Sequence, residues 1–254
     1  MTRTRHILTT LLATACLAAA TAAAAESGQP PRRGPYPDAS QRSVREARYA
    51  FSSYGGFRVL NVTSDLFAAN EFDFGITDDD FRTGSFGFEF DFAVLPRVDI
   101  SIGFDSGNAE TYGSYLDLVY EDGGEIEHSA RLAMTDLSLG VRLRLLGGAA
   151  RVRPYLVGGF AGVYYRYSEI GDFVDFETAD IYYDVFEETS FLPGFFAGAG
   201  ADVAIVRFRD GGSLDLFGEF RYVRSQGEHT EGFDGFGDLT LDRSGGLIGL
   251  RVRW

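Results

Sequence analysis

The chain contains no lysine, a single cysteine and only seven prolines in 254 residues. Each scarcity excludes something. Without lysine, every cation apart from histidine is a guanidinium, a permanently charged planar fork suited to fixed bidentate pairing. The one cysteine, Cys16, lies near the start, so no internal disulfide staples the fold. Four of the prolines (Pro30, Pro31, Pro35, Pro37) crowd one short stretch, which leaves long tracts free to form regular structure. Histidine is almost as rare, with His128 and His229 the only two beyond the leader. No apolar run is long enough for a convincing spanning helix. Basic residues are outnumbered 23 to 37 by acidic ones, a net charge of −14, which excludes a nucleic-acid partner that would need its phosphates neutralised.

The first 25 residues read as a signal peptide: a basic start at Arg3, Arg5 and His6, an apolar segment from Ile7 to Ala20, then small residues at Ala23–Ala25. Removing them leaves 21 basic and 37 acidic residues, a charge of 21 − 37 = −16. Ala13-Thr14-Ala15-Cys16 faintly resembles a lipoprotein cleavage box, but the leucine expected three residues before the cysteine is missing. Residues 26–48, rich in Pro, Gly, Ser and Arg, are expected to be a disordered periplasmic lead-in. Residues 49–254 are expected to be one all-β domain.

What fills that domain is alternation. Phe86, Phe88, Phe90, Phe92 and Val94 share one parity, with Ser85, Gly87, Glu89, Asp91 and Ala93 on the other. A strand sends such sets to opposite faces, and a helix would mix them. The pattern recurs with Val98, Ile100, Ile102 and Phe104 against Asp99, Ser101, Gly103 and Asp105, and with Leu137–Leu145 against Asp136, Ser138, Gly140, Arg142 and Arg144. Further strands are expected over 57–63, 151–167, 194–208 and 214–222. The last runs to the C-terminus, with Ile248, Leu250, Val252 and Trp254 opposing Gly249, Arg251 and Arg253. That makes eight strands. Their connections alternate between long (64–83, 106–129, 168–192, 225–243) and short (95–97, 147–150, 209–212), the rhythm of an antiparallel up-and-down transmembrane β-barrel with both chain ends on the short-turn side.

Over about residues 50–254 the chain resembles the eight-stranded OmpA/OmpW-type family of outer-membrane β-barrel proteins. The resemblance is carried by Arg153-Pro154-Tyr155 with the Gly/aromatic run after it, and by the terminal Val252-Arg253-Trp254. It implies a Gram-negative cell envelope, outer-membrane lipid and lipopolysaccharide as surroundings, and recognition by the barrel-assembly machinery through Ile248, Leu250, Val252 and Trp254. It says almost nothing about function, because such strands recur in functionally unrelated members.

If the large apolar parity faces lipid, Glu89, Asp91, Asp99, Asp136, Arg142, Arg144, Asp202, Asp215, Glu219, Arg221, Arg251 and Arg253 face inward. An eight-stranded barrel has an interior just wide enough to be filled by side chains. The primary expectation is a packed ion-pair network near the short-turn end, in a non-enzymatic protein with a structural or surface-interaction role. The alternative is a narrow porin-like channel for small solutes, gated by rearranging these pairs. A third reading, a soluble periplasmic barrel holding a ligand, requires the opposite face assignment.

Catalysis is weakly signalled. His128 and His229 fall in expected loops and read as solvated, and His128-Ser129, adjacent in a strand, would diverge to opposite faces. No cofactor or metal site is expected. Asp78-x-Asp80 opens like a calcium loop, but Arg82 and Thr83 stand where an oxygen ligand and the turn glycine are needed. The acidic loops are expected to hold divalent cations only loosely.

Overall fold

In the computed structural model the described residues are 47–146, 150–178, 180–208, 211–230 and 232–254. The expected signal peptide, and the lead-in up to residue 46, lie outside them. Eight strands follow in order: β1 (Tyr49–Thr63), β2 (Thr83–Leu95), β3 (Val98–Val119), β4 (Glu125–Arg144), β5 (Val152–Val174), β6 (Ile181–Arg207), β7 (Ser213–Glu228) and β8 (Asp238–Arg253). Each pairs antiparallel with its sequence neighbour, and β1 closes on β8 from Ala50↔Arg253 to Thr63↔Thr240. The closure is reinforced at the chain end, where the Arg48 and Tyr49 N–H groups donate to the Trp254 carbonyl. A closed antiparallel barrel leaves no edge strand, so the whole backbone ladder is internally satisfied.

The strands run from 13 to 27 residues, whereas roughly 9–11 suffice to cross the hydrocarbon layer. The excess lies on the side away from the chain ends. Three of the long connections expected as loops are therefore mostly strand: β3 and β4 extend to the 120–124 turn, β5 and β6 to 175–180, and β7 and β8 to 229–237. The fourth contains helix α1 (Asp65–Phe74) and a 3-10 turn (Asp78–Phe81), neither of which was expected.

The apolar parity switches partway along the strands. In β4, Leu137, Leu139, Val141 and Leu143 point outward and are well exposed, whereas Ile126, Ala130, Leu132 and Met134, on the opposite parity, are buried inside. β5 does the same between outward Leu156 and Phe160 and inward Val163, Tyr165 and Tyr167, and β8 between outward Ile248, Leu250 and Val252 and inward Leu239 and Leu241. Near the short turns the barrel is thus apolar outside and ionic inside. Toward the long strand ends it is apolar inside and polar outside, with Glu110, Arg131, Arg166 and Glu187 facing out. The outer apolar band, completed by Phe51, Phe57, Phe86, Phe88, Ile102, Phe195 and Trp254, is what a bilayer covers. The chain is a transmembrane barrel of the outer-membrane type. A soluble barrel with a polar exterior is incompatible with that band.

Helix α1 follows from its ends. Ser64 caps its start, its Oγ accepting from the Leu66 N–H at 3.1 Å, and Asp65 sits in the first turn where the helix dipole favours an anion. Gly75 ends it at φ 67°, a left-handed conformation that glycine adopts without strain, and its N–H donates to the Glu71 carbonyl. One face, Leu66, Phe67, Asn70 and Phe74, is buried. It joins the inward core with Tyr167, Phe81, Leu239 and Leu241, so α1 lies across the barrel's mouth and packs down into it.

Candidate functional site

At the short-turn end the barrel interior holds a layer of ion pairs. Arg142 forks between Glu89 and Asp91, and its Nη2 lies 3.7 Å from Glu219. Arg251 pairs with Asp202 and reaches Glu89 at 3.2 Å, while its Nε donates to Ser52 Oγ at 2.7 Å. Arg253 bridges Asp202 at 2.5 Å and Asp215 at 3.0 Å. Arg144 meets Asp99 at 2.9 Å, Arg153 meets Asp215, and Arg221 joins Glu89 at 2.9 Å to Glu219 at 2.6 Å. Of the twelve charges expected inside, eleven (Glu89, Asp91, Asp99, Arg142, Arg144, Asp202, Asp215, Glu219, Arg221, Arg251 and Arg253) therefore lie in one layer, and Asp136 lies beyond it.

The register explains the connectivity. Asp99 sits directly opposite Arg142 across the β3–β4 ladder, and Asp215 opposite Arg251 across β7–β8. Yet Asp99 pairs with Arg144 and Asp215 with Arg253, the diagonal neighbours two residues along. Long side chains lean along the strand, and that frees Arg142 and Arg251 to cross the lumen to Glu89. The Tyr155 ring supports both, 4.6 Å from the Arg142 guanidinium carbon and 5.2 Å from that of Arg251. Tyr155 fits because Gly200 faces it: a Cβ there would lie 2.6 Å from the phenol oxygen.

Six arginines (142, 144, 153, 221, 251, 253) thus meet six carboxylates (89, 91, 99, 202, 215, 219), and the layer is formally neutral. One step further in, Arg58 pairs with Asp105 and lies 3.3 Å from Asp136, which Arg243 also meets at 2.5 Å. Between these groups lies a small cavity lined also by Phe196, Val223 and Leu247. Sequence reasoning missed Arg58, Asp105, Arg153 and Arg243 as members of the network. Arg58 lies in the expected 57–63 strand, whose sequence shows no clean apolar alternation to assign its face, and Arg243 in the expected 225–243 loop. Arg153 stands in the sequence within the Arg153-Pro154-Tyr155 motif, outside any clean alternation. Asp105, by contrast, already stood on the polar parity of β3. Of the remaining residues singled out, Ile248, Leu250, Val252 and Trp254 all face outward from β8.

The outer end corrects the reading of both histidines as solvated. His128 lies within β4 and is buried. Its ring stacks on Phe74 of α1 at 4.0 Å and meets Phe173 edge-on. Ser129 points the other way and bonds the Ile170 carbonyl, as strand parity requires. His229, just beyond β7, is buried as well. Its Nε2 lies 2.6 Å from Ser64 Oγ and its Nδ1 2.8 Å from Glu188 Oε1. Glu188 also accepts from the Tyr165 hydroxyl at 2.7 Å and the Thr230 N–H at 3.0 Å. Nearby, Asn70 of α1 donates to both Tyr167 and Glu169, latching the helix to β5.

The acidic triplet is committed to its own turn and to β1. Asp78 accepts from the Val62 N–H, Asp79 pairs with Arg82, and Asp80 accepts from the Thr77 N–H and hydroxyl. Burial raises the Asp78 carboxyl above its ordinary range. No group of three or more metal-ligating side chains occurs among the described residues.

No protein-family model and no curated protein matches the chain. Among solved structures, the outer membrane protein OprG of Pseudomonas aeruginosa is similar over 82% of this chain and 96% of its own, at 10% identity and a TM-score of 0.46. The attachment invasion locus protein Ail of Yersinia pestis is similar over 81% and 99%, at 13% identity and a TM-score of 0.38. Neisserial surface protein A is similar over 81% and 99%, at 10% identity and a TM-score of 0.39. At these values the likeness carries nothing about role.

Proposed function

We propose that the protein is an OmpA/OmpW-like barrel with a structural or surface-interaction role: a closed scaffold, set in outer-membrane lipid and lipopolysaccharide, that holds its long strand ends and α1 outside the cell. The observation that carries this reading is the neutral ion-pair layer. Six guanidinium groups and six carboxylates consume one another across the lumen, leaving no net charge to draw an ion in. Above the layer, an apolar core and the docked face of α1 close the mouth. The apolar set on β8 ending in Trp254 would serve as the signal read by the barrel-assembly machinery, and the outward acidic side chains would attract divalent cations loosely.

The cavity beside Arg58, Asp136 and Arg243 favours a second reading, a narrow passage for small solutes. Single-channel recording of protein refolded into planar bilayers separates the two. The closed scaffold gives no discrete conductance steps at moderate voltage. Regular steps that change size when Arg142 or Arg251 is replaced would establish the passage instead.

A further inference from the structure

The buried His229 carries a consequence beyond a scaffold role. Its two ring nitrogens join a hydroxyl to a carboxylate, Ser64 Oγ at 2.6 Å and Glu188 Oε1 at 2.8 Å. The roles within the line are set by its partners. Glu188 already accepts from the Tyr165 hydroxyl and the Thr230 N–H, so it acts as a carboxylate acceptor toward Nδ1–H. That tautomer leaves the Nε2 lone pair facing the Ser64 hydroxyl. Nucleophile, base and orienting acid are recognised by such geometry and not by their order in a sequence.

Exposure is graded as such a device requires. The His229 and Glu188 side chains are fully buried, whereas Ser64 keeps part of its surface open. The chain places Ser64 at the junction of β1 with α1, so the hydroxyl stands at the positive end of a ten-residue helix, with the Leu66 N–H 3.1 Å from Oγ. A cap alone needs no histidine behind it, and a buried histidine alone needs no partly open serine in front. Phe233 and the half-buried Phe236 flank the His229 ring, an apolar wall beside the base.

We propose that Ser64, His229 and Glu188 form a hydrolytic centre for carboxylic esters with an apolar acyl group, at the outward mouth of the barrel. Ser64 Oγ attacks the ester carbonyl carbon while its proton passes to His229 Nε2. The positive end of α1, at which Ser64 stands, favours the negative charge that develops on the carbonyl oxygen. The bond from carbon to the alcohol oxygen then breaks, and Nε2 returns the proton to that oxygen. This leaves an acyl-serine and the free alcohol. Water attacks the acyl carbon as Nε2 takes its proton; the carbon–Oγ bond then breaks, Nε2 returns the proton to Ser64 Oγ, and the carboxylic acid departs. The net reaction consumes one ester and one water and needs no cofactor.

The test uses the full chain refolded in micelles and a long-chain alkyl fluorophosphonate, with the labelled residue located by peptide mass spectrometry. Label is expected on Ser64. Ser64→Asn keeps a good helix cap but no nucleophile and should remain unlabelled while migrating as a folded barrel. His229→Gln should slow labelling by roughly 10⁶-fold, and Glu188→Gln by roughly 10⁴-fold. Hydrolysis of p-nitrophenyl butyrate and of phosphatidylethanolamine vesicles then distinguishes a soluble ester from a lipid ester, and turnover of either that is lost in Ser64→Asn supports the centre. Folded wild-type protein that takes no label, or label that persists in Ser64→Asn or is unaffected in His229→Gln, overturns it. The bilayer recording described above is independent of this result, since a plugged barrel can carry the centre or lack it.

Discussion

At the scale of single residues the interior is governed by the cost of an unpaired buried charge. Arg142 is the sharpest case: it is wholly buried, forks between Glu89 and Asp91, and stacks over Tyr155. Removing it takes from Asp91 its closest cation and from Glu89 one of three, and leaves the layer with one uncompensated negative charge. Arg142→Gln should therefore cost about 3–5 kcal/mol of stability, measured by urea unfolding in micelles. Arg142→Lys should fall between the two, because an ammonium keeps the charge but cannot span both acids in one plane. An unchanged midpoint in Arg142→Gln would mean that the layer contributes nothing net. Strand parity alone identified Arg142, Arg144, Arg251 and Arg253 as inward. It could not reveal which carboxylate each would meet, because the diagonal pairing of Asp99 with Arg144 depends on lean and crossing distance rather than on sequence spacing.

At the scale of elements, the strands were legible only as far as lipid covers them. In β4 the apolar residues are at odd positions from Leu137 to Leu143 and at even positions from Ile126 to Met134. That change of phase at Asp136 makes a continuous strand look like a strand followed by a polar loop. Its cause is a change of solvent: below the switch the oily side is outside, above it the oily side is the core. α1 escaped because its apolar residues serve a docking surface formed by chain that only the fold brings near. Its docking rests on Phe74 against His128 and on Asn70 against Tyr167 and Glu169. Phe74→Ala should therefore release α1, raising amide hydrogen exchange and protease cleavage across residues 65–74 while leaving exchange in β2 and β7 unchanged; equal protection in variant and parent would refute the latch. The β5–β6 turn offers a pH counterpart. Asp175 accepts from the Glu177 and Thr178 N–H groups, which hold its pKa below the ordinary carboxylate range. A depressed folded pKa means the turn is fully stabilised above that range and loses the contribution only as pH falls through the lower value. The amide shifts of Glu177 and Thr178 should accordingly titrate with a midpoint below about 3.9.

For the whole molecule, the two interior layers act in series. Ions entering from the short-turn side meet the arginine–carboxylate layer. Ions entering from the other side meet α1 and the apolar core of Leu132, Met134, Val163, Leu192 and Leu241. A barrier in series is opened only when both parts fail. Replacing Arg142 and Arg251 together by Gln should leave the bilayer silent, because the apolar half still excludes hydrated ions. Deleting the buried face of α1 with Phe67→Ala and Phe74→Ala should leave it silent too, because the ionic layer is untouched. The four substitutions combined should give steady conductance. All three proteins must show the heat-dependent gel shift of a closed barrel, so that conduction is not mistaken for misfolding. Conductance in either pair alone would place the entire barrier in one layer, and silence in the combined variant would mean that the cavity by Arg58 and Arg243 is itself sealed by the packing of Phe196 and Leu247.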